Sequence, residues 1–301
     1  MRVLQLDTGR QMRGGQFQAL LLLRGLESEG LAAPLLAPRG SPLAAEAARQ
    51  GGRVEPLTPG RLLANLRRVD LVHAHDARSH TLAALLPGPP LVVSRRVAFP
   101  VGTGWASRWK YARAAHYIAV SRYVAERLAE AGVPAAKVSV VYDGVQAPRA
   151  AAARSAGGAV VALDTADPMK GGALAREAAA LAGVDVRFSN DLSRDLPEAA
   201  AFLYLTHAEG FGSAALLAMA HGVPVIASRV GGLAEVIEDG RTGLLVANSA
   251  AEAAAALRRL LEDRDLAGRL GCAGRERAAS LFTAENMVRQ TIAVYRKVLG
   301  C

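Results

Sequence analysis

The chain has 301 residues, 51% of them hydrophobic and 21% charged, a balance that excludes a disordered protein and leaves room for two domains with sizeable cores. Two cysteines, Cys272 and Cys301, exclude a disulfide framework and point to a cytoplasmic location, and no apolar run is long enough to span a bilayer. The net charge of +9 rests almost wholly on arginine, with lysine only at positions 110, 137, 170 and 297. It suits nucleotide phosphates or peripheral contact with the anionic inner face of a membrane. Dispersed basic residues, 5% aromatic content and the lack of a recognition motif argue against nucleic acid.

Residues 1–7 read as a strand, without the flanks of a secretion signal. Residues 9–15 read as a loop and 16–30 as a helix with apolar residues at helical spacing. Short apolar runs follow at 33–37, 54–57, 71–75, 91–94, 117–121 and 138–142, with helical stretches between them, 121–132 being one. Alternation of this kind predicts an α/β fold with a doubly wound parallel sheet. Residues 144–158 are poor in large apolar side chains and end in two glycines, which marks a linker. A second alternating unit begins with strands at 159–164 and 184–189. The expected domains are therefore 1–150 and 151–283, both Rossmann-like, with a ligand in the cleft between them. The tail from Ala250 onward reads as helical, with breaks near 271–274 and 281–283.

The most informative stretch is 199–246. An apolar run ending at His207 suits a buried parallel strand. The loop Ala208-Glu209-Gly210-Phe211-Gly212 follows, and Ser213 can cap a helix over 214–221 that Gly222 closes. A second buried strand is expected at 223–228, and Gly231-Gly232 opens another helix. A strand–loop–helix unit aims backbone N–H groups and a positive dipole end at whatever sits above the strand. Glu209 adds a carboxylate at the same lip. Phosphate acceptance beside hydroxyl recognition is the chemistry of a nucleotide sugar, and the competing reading of Glu209 is a solvated turn residue.

The sequence EGFG, the small-residue helix ending AMAHGVPVIAS, and VGGLAEVIEDGRTGLLV resemble the C-terminal half of family 4 glycosyltransferases. That resemblance implies the two-domain GT-B fold, facing Rossmann-like domains, and a last helix, 284–301, packing back on the first domain. It further implies a metal-independent, retaining hexosyl transfer from a nucleotide-diphosphate sugar, with no other cofactor, to a glycan or lipid-linked acceptor, as in cell-envelope polysaccharide synthesis. Glu209 matches the first glutamate of the family signature, which contacts the donor sugar. The second, expected to bind the ribose, is replaced by Leu217. Loss of a charged hydrogen bond of roughly 1.5–3 kcal/mol would weaken donor binding about ten- to a hundredfold. Phe211, Gly212, Ser213, Leu217, Gly231 and Gly232 are accordingly the donor-side candidates.

Lys170, in DPMKGG, follows the first strand of the second unit and is a candidate diphosphate partner. The family commonly has an arginine before it; Leu163-Asp164-Thr165 stands there instead. Gly14 and Gly15, between the first strand and first helix, let a backbone approach a phosphate closely, although they make neither a dinucleotide fingerprint nor a Walker loop. His73 and His75 point the same way from their strand, with Asp76 next. A metal reading lacks a third ligand, which leaves a structural or acceptor-side role for His75. Arg95 and Arg96, after Ser94, suit a phosphorylated or acidic acceptor, with plain surface charge as the rival reading. Asp143 stands where the family usually has asparagine. Between Gly171 and Glu209 the chain is shorter than its relatives, so a strand–helix segment bordering the base is expected to be missing. These departures motivate a second hypothesis, a non-catalytic GT-B scaffold or binding subunit; a sugar-nucleotide epimerase is a third.

Overall fold

A computed structural model describes residues 1–146, 148 and 158–301. It divides into two compact units, Met1–Gly144 with Ala284–Cys301, and Val145–Thr283. The linker expected at 144–158, and the domain boundary drawn at 150, fall mostly on positions outside the described residues.

The first unit runs β1 (Val3–Leu6), α1 (Gly14–Ser28), β2 (Leu35–Ala37), α2 (Pro42–Arg49), β3 (Val54–Pro56), α3 (Pro59–Leu66), β4 (Leu71–Ala74), α4 (Ala77–Ala84), β5 (Leu91–Arg95), α5 (Trp105–Ala112), β6 (His116–Ala119), α6 (Arg122–Glu130) and β7 (Val138–Val140). The strands pair in parallel in the order β3-β2-β1-β4-β5-β6-β7. The chain thus builds one way from β1 and then returns to build the other way from β4, which puts a topological reversal between those two strands. Side-chain caps start the helices: Ser41, Thr58, Asp76 and Ser121 each accept from a backbone N–H of the first turn.

The second unit runs β8 (Val160–Leu163), α7 (Gly172–Ala182), β9 (Val186–Ser189), α8 (Leu192–Asp195), β10 (Ala201–Tyr204), α9 (Ser213–Ala220), β11 (Val225–Ser228), α10 (Leu233–Val236), β12 (Leu244–Val246), α11 (Ala250–Glu262) and α12 (Arg264–Leu281). Its parallel order is β12-β11-β10-β8-β9, so here the reversal lies between β8 and β10. The chain then returns to the first unit as α13 (Ala284–Leu299), whose Met287, Val288, Ile292 and Tyr295 are buried in that unit's core.

Several expectations need correction. Gly14 and Gly15 are the first turn of α1 rather than a loop. Ser213 is the first residue of α9 rather than its cap, because Gly212 turns the chain through a φ of 109° that only glycine takes readily. The break expected at 271–274 does not occur, and α12 runs through it. Gly274 there lets α12 lie close to the chain beneath it; a Cβ would stand 3.1 Å from the Thr242 carbonyl oxygen. Strand β12 has no counterpart in the sequence reading, since three apolar residues after a turn are too short a signal.

The seating of α13 on α1 rests on Gly25, where a Cβ would come within 2.2 Å of Val288 Cγ2. A Gly25→Ala substitution gains about 1 kcal/mol of helix propensity, but the stiff, β-branched Val288 cannot swing aside. A net loss of about 1–2 kcal/mol is expected. Adding Val288→Ala should recover a large part of it, giving a favourable coupling of about 1 kcal/mol in a double-mutant cycle followed by urea denaturation.

Candidate functional site

Lys170 and Glu209 lie at the carboxyl ends of β8 and β10, the neighbouring strands from which the second unit's chain departs in opposite directions. That is where open α/β sheets hold ligands. Lys170 ends a 3-10 turn, Pro168–Lys170, in which the Asp167 carboxylate accepts from the Met169 N–H at 3.0 Å. Gly171 follows with φ 61°, its Cα so close to the end of β10 that a Cβ would lie 2.5 Å from the Leu205 carbonyl oxygen. The turn is stitched to the strand as well, since Thr206 Oγ1 and the His207 N–H both donate to the Met169 carbonyl, at 3.0 and 2.8 Å.

Lys170 Nζ donates to Glu209 Oε2 at 2.8 Å. The Tyr204 hydroxyl donates to the same oxygen, and the Gly210 N–H donates to Oε1 at 3.0 Å. Glu209 is therefore clamped on both oxygens, with its side chain 12% exposed against 31% for Lys170. Tyr204 is fully buried and stacks on Phe202, with ring centroids 5.6 Å apart. Burial, and then the neighbouring Glu209 charge, push its hydroxyl well above the usual tyrosine range. Of the three hydrogens on Lys170 Nζ, one is committed to Glu209 and a second makes a long, 3.5 Å contact with the Tyr204 hydroxyl. The exposed remainder of the ammonium can meet a phosphate.

The glycines of this stretch permit two loops to interlock. The Gly232 N–H donates to the Glu209 carbonyl at 3.0 Å, and a Cβ on Gly232 would overlap the Gly210 carbonyl oxygen at 2.1 Å. Gly231 holds φ 52° beside it. Phe211 turns its side chain into the core against Phe282, so what it presents at the loop is backbone. Helix α9 then starts at Ser213 with its positive dipole end toward the same loop. Leu217 sits one turn on, half-buried, where the resemblance expects a carboxylate. The lip is braced further by Ser228, which accepts from the Thr206 N–H and donates to Asn248 Oδ1. Tyr204, Thr206, Ser228 and Asn248 all escape the sequence reading. Only Tyr204 left a signal, a phenol inside an otherwise apolar strand five residues before the glutamate.

In the first unit the candidates fall into separate arrangements. His73 bonds the Tyr295 hydroxyl through Nδ1 at 2.6 Å and Ser94 Oγ through Nε2 at 2.8 Å. His75 Nε2 bonds Gln5 Oε1 at 2.8 Å, while its Nδ1 is buried without a partner among the described residues. The two rings lie 4.2 Å apart, and both residues are buried. Asp76 caps α4 and accepts both the N–H and hydroxyl of Thr8, so it is not aimed at the imidazoles. Among the described residues no group of three or more His, Cys, Asp or Glu is placed to hold a metal.

Arg95 and Arg96 do not point together. Adjacent residues leaving a strand face opposite ways. Arg95 donates to the Tyr111 hydroxyl and the Phe99 carbonyl, whereas Arg96 pairs with Asp143 at 3.3 Å and keeps a buried Nη1 that has no hydrogen-bond partner among the described residues. Gly15 borders Arg96, since a Cβ there would lie 3.8 Å from Arg96 Cδ. At the β1–β4 reversal the buried Asp7 accepts from the Gly9 N–H and from Gln16, and burial pushes its pKa up.

Residues 12–149 match the family model described as Glycosyltransferase Family 4, and residues 177–277 match that of Glycosyl transferases group 1. The chain is 44% identical over 97 residues to an alpha-maltose-1-phosphate synthase of Mycolicibacterium smegmatis, an alignment taking in 30% of this chain and 25% of that protein. It is 47% identical over 90 residues to a D-inositol 3-phosphate glycosyltransferase of a Nocardioides species, covering 30% of this chain and 19% of that one. The matched segment is thus a quarter or less of these relatives' length. Among solved structures, Anabaena Alr3699/HepE in complex with UDP and glucose superposes with a TM-score of 0.85 at 16% identity, over 98% of this chain and 99% of that one. Sucrose-phosphate synthase from Thermosynechococcus elongatus gives 0.76 at 19% identity, over the whole of both chains. These likenesses establish the fold as GT-B.

The buried histidines carry a pH signature. Burial, helped by the Arg96 charge and, for His75, first by the neighbouring His73 ring, pushes His73 and His75 well below their ordinary 6.5. A depressed imidazole pKa means that the unfolded chain takes up protons the folded chain refuses, so stability is full above about pH 6.5 and falls as the pH drops below it. Each ring contributes a slope of about 1.4 kcal/mol per pH unit there. Urea titrations between pH 7.5 and pH 5 should show it, and His75→Gln should make the slope shallower by about one ring's worth.

Proposed function

The chain fits the family 4 glycosyltransferases over residues 12–149 and 177–277, and from that premise we propose that it is a retaining glycosyltransferase. In this reading it moves a hexosyl group from a nucleotide-diphosphate sugar to a glycan or lipid-linked acceptor. The observation that carries the reading is the Lys170–Glu209 pair at the β8–β10 reversal, beside the start of α9.

The second unit holds the donor. The exposed part of the Lys170 ammonium and the dipole of α9 take the diphosphate, and no metal is invoked for its charge. Glu209 is prefixed by Tyr204, Lys170 and its own loop amide, so it meets the sugar hydroxyls without first having to be ordered. Transfer breaks the bond from the anomeric carbon to the phosphate oxygen and makes one to the acceptor oxygen on the same face. The acceptor's proton passes to the departing phosphate, and the nucleoside diphosphate leaves. In the first unit Arg96, with its uncommitted Nη1, is the group for an acidic acceptor. Arg95 and His75, tied to Tyr111 and Gln5, act through position only.

Leu217 favours a second reading, a GT-B scaffold that binds without transferring, since no carboxylate stands there for the ribose hydroxyls. One series of measurements separates the two. Thermal shift with UDP, GDP, ADP and their sugars should show a stabilising nucleotide, and Lys170→Ala should weaken its affinity about ten- to a hundredfold. Leu217→Glu should strengthen it by a similar factor. Glu209→Gln should abolish release of nucleoside diphosphate from the matching sugar donor. No shift with any nucleotide overturns the donor reading; binding with no turnover by the unaltered chain selects the scaffold.

A further inference from the structure

The positive charge is not evenly spread. From residue 77 to residue 125 there is no aspartate or glutamate, and seven Lys and Arg residues account for most of the net +9. Helix α5 lies in the middle of this stretch, and none of its eight residues is buried. Its inner side is nevertheless firmly fixed. Tyr111 stacks on Tyr117 at 5.4 Å, meets His80 edge-on at 5.1 Å and accepts from Arg95 at 2.8 Å.

The outer side carries Trp105 and Trp109, four residues apart and therefore one above the other. They are 83% and 43% exposed, and they are the chain's two tryptophans. Arg108 and Arg113 are exposed beside them. Phe99, 53% exposed, stands on the segment leading into the helix, held by the Arg95 bond to its carbonyl. Large aromatic side chains left in water on a rigid helix, flanked by arginine in a stretch of chain without an acid, are an unpartnered surface among the described residues.

We infer that this face of α5 docks on an anionic lipid bilayer. Indole rings prefer the headgroup level of a membrane, and cationic side chains beside them are drawn to its negative surface potential. A helix of this length, about 12 Å, lies along the interface and cannot cross it. The charge selects bilayer over protein: a protein partner would have to supply a continuous acidic surface, whereas an anionic membrane supplies one over any area. The inference is independent of the donor reading, since it uses none of that site's residues.

Because both tryptophans lie here, tryptophan emission, excited where tyrosine does not absorb, reports this face alone. With vesicles containing phosphatidylglycerol the emission should shift to the blue, brominated lipid should quench it, and the protein should co-sediment. Vesicles of phosphatidylcholine alone, or high salt, should largely abolish co-sedimentation. Replacing Arg108 and Arg113 with alanine should weaken binding roughly fivefold per charge. Trp105→Ala with Trp109→Ala should remove co-sedimentation while leaving the far-UV circular dichroism unchanged, as exposed positions allow. Unchanged emission with anionic vesicles, undiminished co-sedimentation of the tryptophan double variant, or self-association through this face in lipid-free solution would each overturn the inference. Loss of nucleotide binding alongside intact vesicle binding would refute only the donor reading.

Discussion

The second unit is organised by a single electrostatic fact: a carboxylate and an ammonium leave adjacent parallel strands at the point where the chain reverses its direction of winding, and meet at 2.8 Å. Everything around them serves that meeting. The backbone of Gly171 presses against Leu205, and Gly232 against Gly210, at separations that no side chain could share. Tyr204 reaches up from the sheet to the same carboxylate oxygen that Lys170 touches. Such a cluster costs little to keep ordered, because its members are fixed by strands and tight turns rather than by long side chains held in solvent.

The first unit uses the same topology for different ends. At its β1–β4 reversal the polar groups are buried and engaged with each other: Asp7 with Gln16, Thr8 with Asp76, Gln5 with His75. Tyr295 of α13 closes the arrangement through His73, which makes the helix that returns from the far end of the chain part of this unit's polar interior as well as of its apolar core. Two sheets of one architecture therefore hold different chemistry at equivalent places, and in the second the Lys170–Glu209 pair beside the reversal is partly open to solvent.

Much of this was legible in the sequence because it is written in periodicity and punctuation. The alternation of apolar runs and helices gives the two parallel sheets, and most strand ends shift by only a residue or two, although the strand expected to end at His207 stops at Tyr204. Glu209 and Lys170 could be singled out because glycines flank both. What was not legible depends on contacts between distant segments. That Gly14 and Gly15 begin a helix, that α12 passes through Gly274, and that Arg95 and Arg96 part company are outcomes of packing, strand alternation and particular partners. Tyr204, Ser228 and Asn248 look like ordinary strand and turn residues until the sheet sets them side by side. The charge-bearing stretch around α5 looked dispersed because its arginines are scattered along the chain while the missing acids go unremarked.

The bridge between Val145 and Thr283 has a consequence for how the molecule is made. Entry to and exit from the second unit are paired, so that unit is an insertion whose ends are already joined, and it can complete itself as a continuous segment. The first unit cannot. Its strands β1 to β7 are made before the second unit, yet His73 and the groove of Gly25 wait for Tyr295 and Val288, which are made after it. The unit begun before the insertion is completed only after it, and until then the apolar groove that takes Met287, Val288 and Ile292 lacks its cover.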